Sequence, residues 1–286
     1  AGLMNLVQSG VASAERVFEL LDAPEEEPDK KESKSIGRAK GEITFENIKF
    51  SYTPDKPLIE DFSLKVKPGE TVAIVGPTGA GKTTLVNLLM RFYEVQGGRI
   101  TLDGIDTREL SRDELRKQFG MVLQDTWLFT GSIKENIAFG AFDPSEDVIS
   151  KAAGAANIDH FIRSLPEGYE TKLTDDSAAI SNGERQLLTI ARAYIADPAI
   201  LILDEATSSV DTRTEVLVQQ AMKRLRAGRT SFVIAHRLST IRDADVILVM
   251  DRGGLVEQGT HQDLMTKRGF YFNLYSSQFS EAGEVA

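Results

Sequence analysis

Two stretches of the chain hold residue types whose spacing could do chemistry together. The first runs Gly76-Pro77-Thr78-Gly79-Ala80-Gly81-Lys82-Thr83-Thr84: a glycine, four residues, then Gly-Lys-Thr, the spacing of a phosphate-binding loop. Glycines there let the backbone approach closely and take dihedrals that a side chain forbids, so that successive N–H groups and a helix N-terminus point at an anion. Lys82 adds a positive charge at the β- and γ-phosphates, and Thr83 offers a hydroxyl to Mg²⁺. The second stretch is Ile200-Leu-Ile-Leu followed by Asp204-Glu205. Of the two carboxylates, Asp204 is suited to holding Mg²⁺ and Glu205 to taking a proton from an attacking water. A strand ending in Asp-Glu is by itself more often a turn or a helix cap. The phosphate loop upstream reverses that reading.

These groups need elements that place them on one edge. The run Thr71 to Val75 leads into the loop as a strand, and Thr83 to Met90 leaves it as a helix. Runs 200–203, 231–235 and 246–250 are apolar throughout, as strands buried on both faces of a largely parallel sheet should be. Shorter β-rich runs, 43–52 and 61–66, open the domain. The sequence therefore predicts an α/β domain with an inserted helical region. Ahead of it, Leu3, Leu6, Val7, Val11, Val17, Phe18 and Leu21 recur at helical spacing, predicting an amphipathic helix over 1–22. A polar run with two prolines then reads as a linker, 23–40, with the domain spanning 41–286.

Composition bounds the classes. The chain has 286 residues, 41% of them hydrophobic and 27% charged, the profile of a folded globular protein. Thirty-three basic residues against 43 acidic ones give a net charge of −10, which disfavours nucleic acid as a partner. With no cysteine, disulfides and thiolate metal sites are excluded. No apolar run reaches the roughly 18 residues that a membrane span needs.

With these residues in view, the chain resembles the ATP-binding cassette (ABC) domains, and among them the exporter type. The resemblance implies a P-loop NTPase fold: a RecA-like core, an N-terminal antiparallel β subdomain and an inserted α-helical subdomain over about 125–197. Ile180-Ser181-Asn182-Gly183-Glu184 is similar to the family signature Leu-Ser-Gly-Gly-Gln, with Ser181 and Gly183 matching and Asn182 and Glu184 departing. In the family this motif meets the γ-phosphate held by a partner domain. The resemblance further implies that Tyr52 stacks on adenine and that Gln124 senses Mg²⁺ and the attacking water. It implies that His236 contacts the γ-phosphate, and that Asp211 lies in the loop joining the two sites of a dimer. His160 and His261 match no such position.

Other features point toward an exporter. The segment Trp127 to Gly140 resembles the exporter region that meets transmembrane coupling helices. The helix over 1–22 resembles the cytoplasmic end of a final transmembrane helix. Leu173-Thr-Asp-Asp-Ser177 resembles one chain of heterodimeric bacterial multidrug exporters. The reading is an ATPase motor using ATP and Mg²⁺, partnered by a second nucleotide-binding domain and by transmembrane domains at the cytoplasmic face of a membrane. The alternatives are an ABC-type ATPase of DNA repair or translation, which would insert a coiled coil or carry two cassettes, and a nucleotide-gated interaction module without turnover.

Overall fold

The computed structural model describes residues 2–23, 25–124, 126–174, 180–204, 211–235 and 238–279. Strands are β1 (Ile43–Phe50), β2 (Ile59–Val66), β3 (Thr71–Val75), β4 (Gly97–Leu102), β5 (Ile105–Asp106), β6 (Phe119–Val122), β7 (Gly131–Ser132), β8 (Lys172–Leu173), β9 (Ile200–Asp204), β10 (Thr230–Ile234), β11 (Val246–Asp251) and β12 (Gly254–Gly259). Helices are α1 (Gly2–Leu21), α2 (Lys82–Leu89), α3 (Arg112–Arg116), α4 (Ile133–Ala138), α5 (Glu146–Ala155), α6 (Asp159–Ser164), α7 (Asn182–Ala196), α8 (Thr212–Arg226), α9 (Leu238–Arg242), α10 (His261–Lys267) and α11 (Phe270–Phe279).

The central sheet runs β12-β11-β3-β10-β9-β6, parallel except for β12. Its inner strands β11, β3, β10 and β9 are mostly apolar and almost wholly buried because both faces are covered, whereas the edge strand β12 is partly exposed. Alternate residues enter two different cores. Val72, Ile74, Ile200, Ile202, Phe232 and Ile234 face a core shared with α2 and with an antiparallel sheet of order β2-β1-β4-β5. Ala73, Val75, Leu201, Leu203 and Val233 face the other core, built with α7 and α8. The sheet is thus the middle layer, and the period of two along each strand divides its side chains between the layers. Helices α4 to α7 and the small β7–β8 ribbon form the helical insert. The fold is α/β with an antiparallel β subdomain and a helical insert, as expected.

Several boundaries move by a residue or two. Strand β2 begins two residues before the predicted run. Helix α7 begins at Asn182, inside the signature, because Ser181 caps it: its hydroxyl accepts from Glu184 N–H, and the Glu184 carboxylate accepts from Ser181 N–H. The signature residues are therefore the first turn of the helix.

Helix α1 buries none of its residues, and its apolar stripe, Phe18 included, is open. The segment 25–40 has no helix or strand but is tied to the domain. Asp29 accepts from the backbone N–H and guanidinium of buried Arg112, each at 2.9 Å, and Lys34 bridges to Leu110. Ala39 N–H donates to Gln118 Oε1 at 2.9 Å, and Gln118 Nε2 donates to Gly37 O at 2.7 Å.

Candidate functional site

Strand register puts the candidate residues on one edge. Ile234 is level with Ile74 on one side and with Asp204 on the other, and Val122 is level with Leu203. The loop after β3, the end of β9 and Gln124 after β6 therefore leave the sheet at the same carboxyl edge, where ligands bind in open parallel sheets. Glu205 directly follows β9 in sequence, and His236 follows the strand β10 by two residues; both lie outside the described residues, as do Asp175, Asp176 and Ser177.

The phosphate loop is shaped by what surrounds it. Gly76 has φ 153° and a Cβ there would lie 2.2 Å from Met250 O, so no other residue fits that close approach. Gly81, at φ 95°, is the N-cap of α2. From the side, Gly253 N–H donates to Ala80 O at 3.0 Å. Met250 and Gly253 belong to β11 and the turn after it, and neither stands out in the sequence beyond a turn signal at Arg252-Gly253-Gly254. Thr78 and Gly79 are exposed, Pro77 is half-buried, and Ala80 is buried.

Lys82 bends back over the loop, its Nζ donating to Gly76 O at 2.8 Å and to Pro77 O at 3.0 Å. Burial lowers its pKa from the ordinary lysine value, and the attraction of Asp204 opposes that shift. A half-buried ammonium gains more from an anion than from the two neutral carbonyls that hold it here. An anion seated in the loop would meet that charge, so the residues fit a phosphate. Thr83 is exposed at the start of α2 and Asp204 is half-buried at the end of β9. The pair suits Mg²⁺, which is commonly held by one or two side chains together with substrate phosphates.

Tyr52 follows β1, is 51% exposed, and its hydroxyl lies 3.1 Å from Thr84 Oγ1. The antiparallel subdomain thereby reaches the first turn of α2. Gln124 is exposed. Ser181 and Gly183 stand on α7, in the helical insert. Asp211 caps α8, its Oδ1 accepting from Arg213 and Thr214 N–H at 3.1 and 3.0 Å, and the bond from Thr214 leads in lowering its pKa. The structure thus gathers Tyr52, the loop, Lys82, Thr83, Thr84, Asp204 and Gln124 around the sheet edge and α2, and places Ser181, Gly183 and Asp211 at the starts of two other helices.

A phosphate loop opening a helix at the carboxyl edge of a parallel sheet, with an acidic strand end two strands away, defines a P-loop ATPase domain. The family profile described as ABC transporter matches residues 59–208, more than half of the chain, and the chain belongs to that family as its ATPase domain. Among its relatives is a Mycobacterium bovis protein named fatty acid ABC transporter ATP-binding/permease protein, 58% identical over 96% of this chain and 43% of the relative. An ATP-dependent lipid A-core flippase of Syntrophus aciditrophicus is 48% identical over 97% of this chain and 46% of its own length. Among solved structures, a bacterial Atm1-family ABC exporter with ATP bound superposes with a TM-score of 0.84 at 40% identity, covering 96% of this chain and 48% of that one. The chain spans less than half the length of these proteins. No helix among the described residues is long and apolar enough to cross a membrane.

Proposed function

We propose that this chain is the ATP-binding and ATP-hydrolysing motor domain of an ABC exporter at the cytoplasmic face of a membrane, moving a drug-like or lipid-like substrate. The observation that carries the reading is Lys82, a half-buried ammonium held inside a glycine loop by Gly76 O and Pro77 O and attracted by Asp204.

In this reading Tyr52 stacks on adenine while the backbone of Gly76 to Thr84 and the Lys82 ammonium bind the phosphates. Mg²⁺ held by Thr83, Asp204 and Gln124 would neutralise phosphate charge. Glu205 takes the proton of the attacking water, and Lys82 and His236 stabilise charge that grows at the γ-phosphate. Ser181 and Gly183, at the N-terminus of α7, face the γ-phosphate held by a second nucleotide-binding domain, and Asp211 lies between the two sites. Two domains closing on two ATP molecules perform the mechanical step, and hydrolysis lets them reopen.

The exporter assignment has support beyond the site. Leu123, Trp127 and Phe139 are exposed beside a groove of about 330 Å³ between β6 and α7, a surface suited to the coupling helices of transmembrane domains. The unpartnered apolar stripe of α1 fits the cytoplasmic end of a transmembrane helix, followed by the linker 23–40 and the nucleotide-binding domain 41–286. The names of the relatives point to lipid-like substrates.

Glu205→Gln tests the enzyme. ATP should still bind and drive a stable dimer, seen by light scattering, while phosphate release falls on the order of a hundredfold or more. Turnover at the unaltered rate would overturn the base assignment. Absence of phosphate release by the parent chain at high concentration would favour a nucleotide-gated interaction module.

A further inference from the structure

We infer that Tyr93 is a positioning residue of the nucleotide site: its ring fixes the orientation of Tyr52 and so sets how tightly the base is held. The inference rests on the reading of Tyr52 as the base platform and adds to it a residue that acts through Tyr52.

The tether from the Tyr52 hydroxyl to Thr84, at 3.1 Å, pins only the far end of the ring. It leaves the ring free to turn about its long axis, and a face that turns is a poor surface for stacking. Two neighbours remove that freedom. Phe50 meets Tyr52 at 4.9 Å between centroids and 84° between planes, and Tyr93 meets it at 5.1 Å and 88°. Both are edge-to-face contacts, the favoured geometry of aromatic pairs. Phe50 is buried and belongs to the core, whereas Tyr93 is 45% exposed, so its contact with Tyr52 is not explained by burial alone.

Tyr93 can act as a fixed stop because its chain segment is anchored. The buried Arg91 guanidinium donates to Thr107 O and Leu110 O at 3.0 and 2.9 Å and to Glu94 Oε1 at 2.7 Å. Phe92 N–H donates to Asn87 O, and the Phe92 ring lies under the Arg116 guanidinium at 4.9 Å. A platform held in its binding orientation loses less freedom when the base arrives.

The test is calorimetric binding of Mg·ADP and of inorganic tripolyphosphate to this chain and to Tyr93→Leu, Tyr93→Phe and Tyr52→Leu. Tyr93→Leu should weaken ADP roughly two- to tenfold and leave tripolyphosphate affinity and the melting temperature unchanged, while Tyr93→Phe binds ADP as the parent does. Should Tyr93→Leu lower the melting temperature, Tyr93→Met is measured in its place. Unchanged ADP affinity in Tyr93→Leu, equal weakening of both ligands, or a Tyr93→Phe variant as weak as the leucine would each overturn the inference. If Tyr52→Leu weakens ADP and Tyr93→Leu does not, only the role of Tyr93 falls; if Tyr52→Leu has no effect, the base platform itself is wrong.

Discussion

The carboxylate of Glu184 accepts hydrogen bonds from both the backbone N–H and the hydroxyl of Ser181, each at 2.8 Å. Of the two residues that depart from the family signature, Asn182 and Glu184, it is thus Glu184 that closes the capping box of α7. It also sets a negative charge at a helix N-terminus that, in the proposed dimer, faces a phosphate.

Glu184→Gln keeps the capping box, since glutamine serves at that position as well, and removes the charge. The expected outcome is ATP-driven dimerisation at several-fold lower ATP in the Glu205→Gln background, followed by light scattering. A requirement for equal or higher ATP would show that the charge does not oppose closure. Glu184→Ala, which breaks the box, should lower stability by about 0.5–2 kcal/mol.

Arg112 holds the segment before the domain. Its Nη1 donates to Glu27 O at 2.7 Å and to Asp29 at 2.9 Å, its Nη2 donates to Glu94 at 3.1 Å, and Glu26 pairs with its Nε at 2.8 Å. Arg112→Met removes these donors and leaves Asp29 and Glu94 with Arg91. Stability should fall by about 1–3 kcal/mol. Amide exchange and protease cutting should rise between residues 25 and 32, with ADP affinity retained. Unchanged exchange there would mean that other contacts carry the segment.

His261 gives the domain a dependence on pH. Its Nδ1 lies 2.7 Å from the hydroxyl of buried Tyr271, and burial, then the nearby Arg242 charge, lowers its pKa below the ordinary 6.5. The unfolded chain takes up the proton first as pH falls. This contribution to stability is therefore complete above about pH 6.5 and is lost as pH drops from there through the folded-state value. Urea midpoints measured from pH 7.5 to pH 5 should fall less steeply in His261→Gln than in the parent. Parallel curves would show that the imidazole is not the titrating group.

Much of the site can be read from the chain because its chemistry is local. A glycine loop between a strand and a helix needs only consecutive residues, so Gly76 to Thr84 announces itself, and the apolar run ending in Asp204 marks its strand. The start of α7 was harder to place, since a capping box looks like a turn until Ser181 and Glu184 are seen to satisfy each other. Residues 25–40 look fit only for solvent, because the partners of Asp29 and Gly37 lie on α3 and just beyond it, far along the chain.

By itself the sequence determined the phosphate loop, the parallel strands that carry it and the family to which the domain belongs, since each depends on short-range pattern. Only the tertiary structure decided that Met250 and Gly253 close around that loop, that half-buried Lys82 turns back onto Gly76 O and Pro77 O, and that Phe50 and Tyr93 brace Tyr52. Those relations join segments far apart in sequence, and what makes them is close packing between layers, where an exposed ring or a backbone carbonyl gains its role from whatever folds against it.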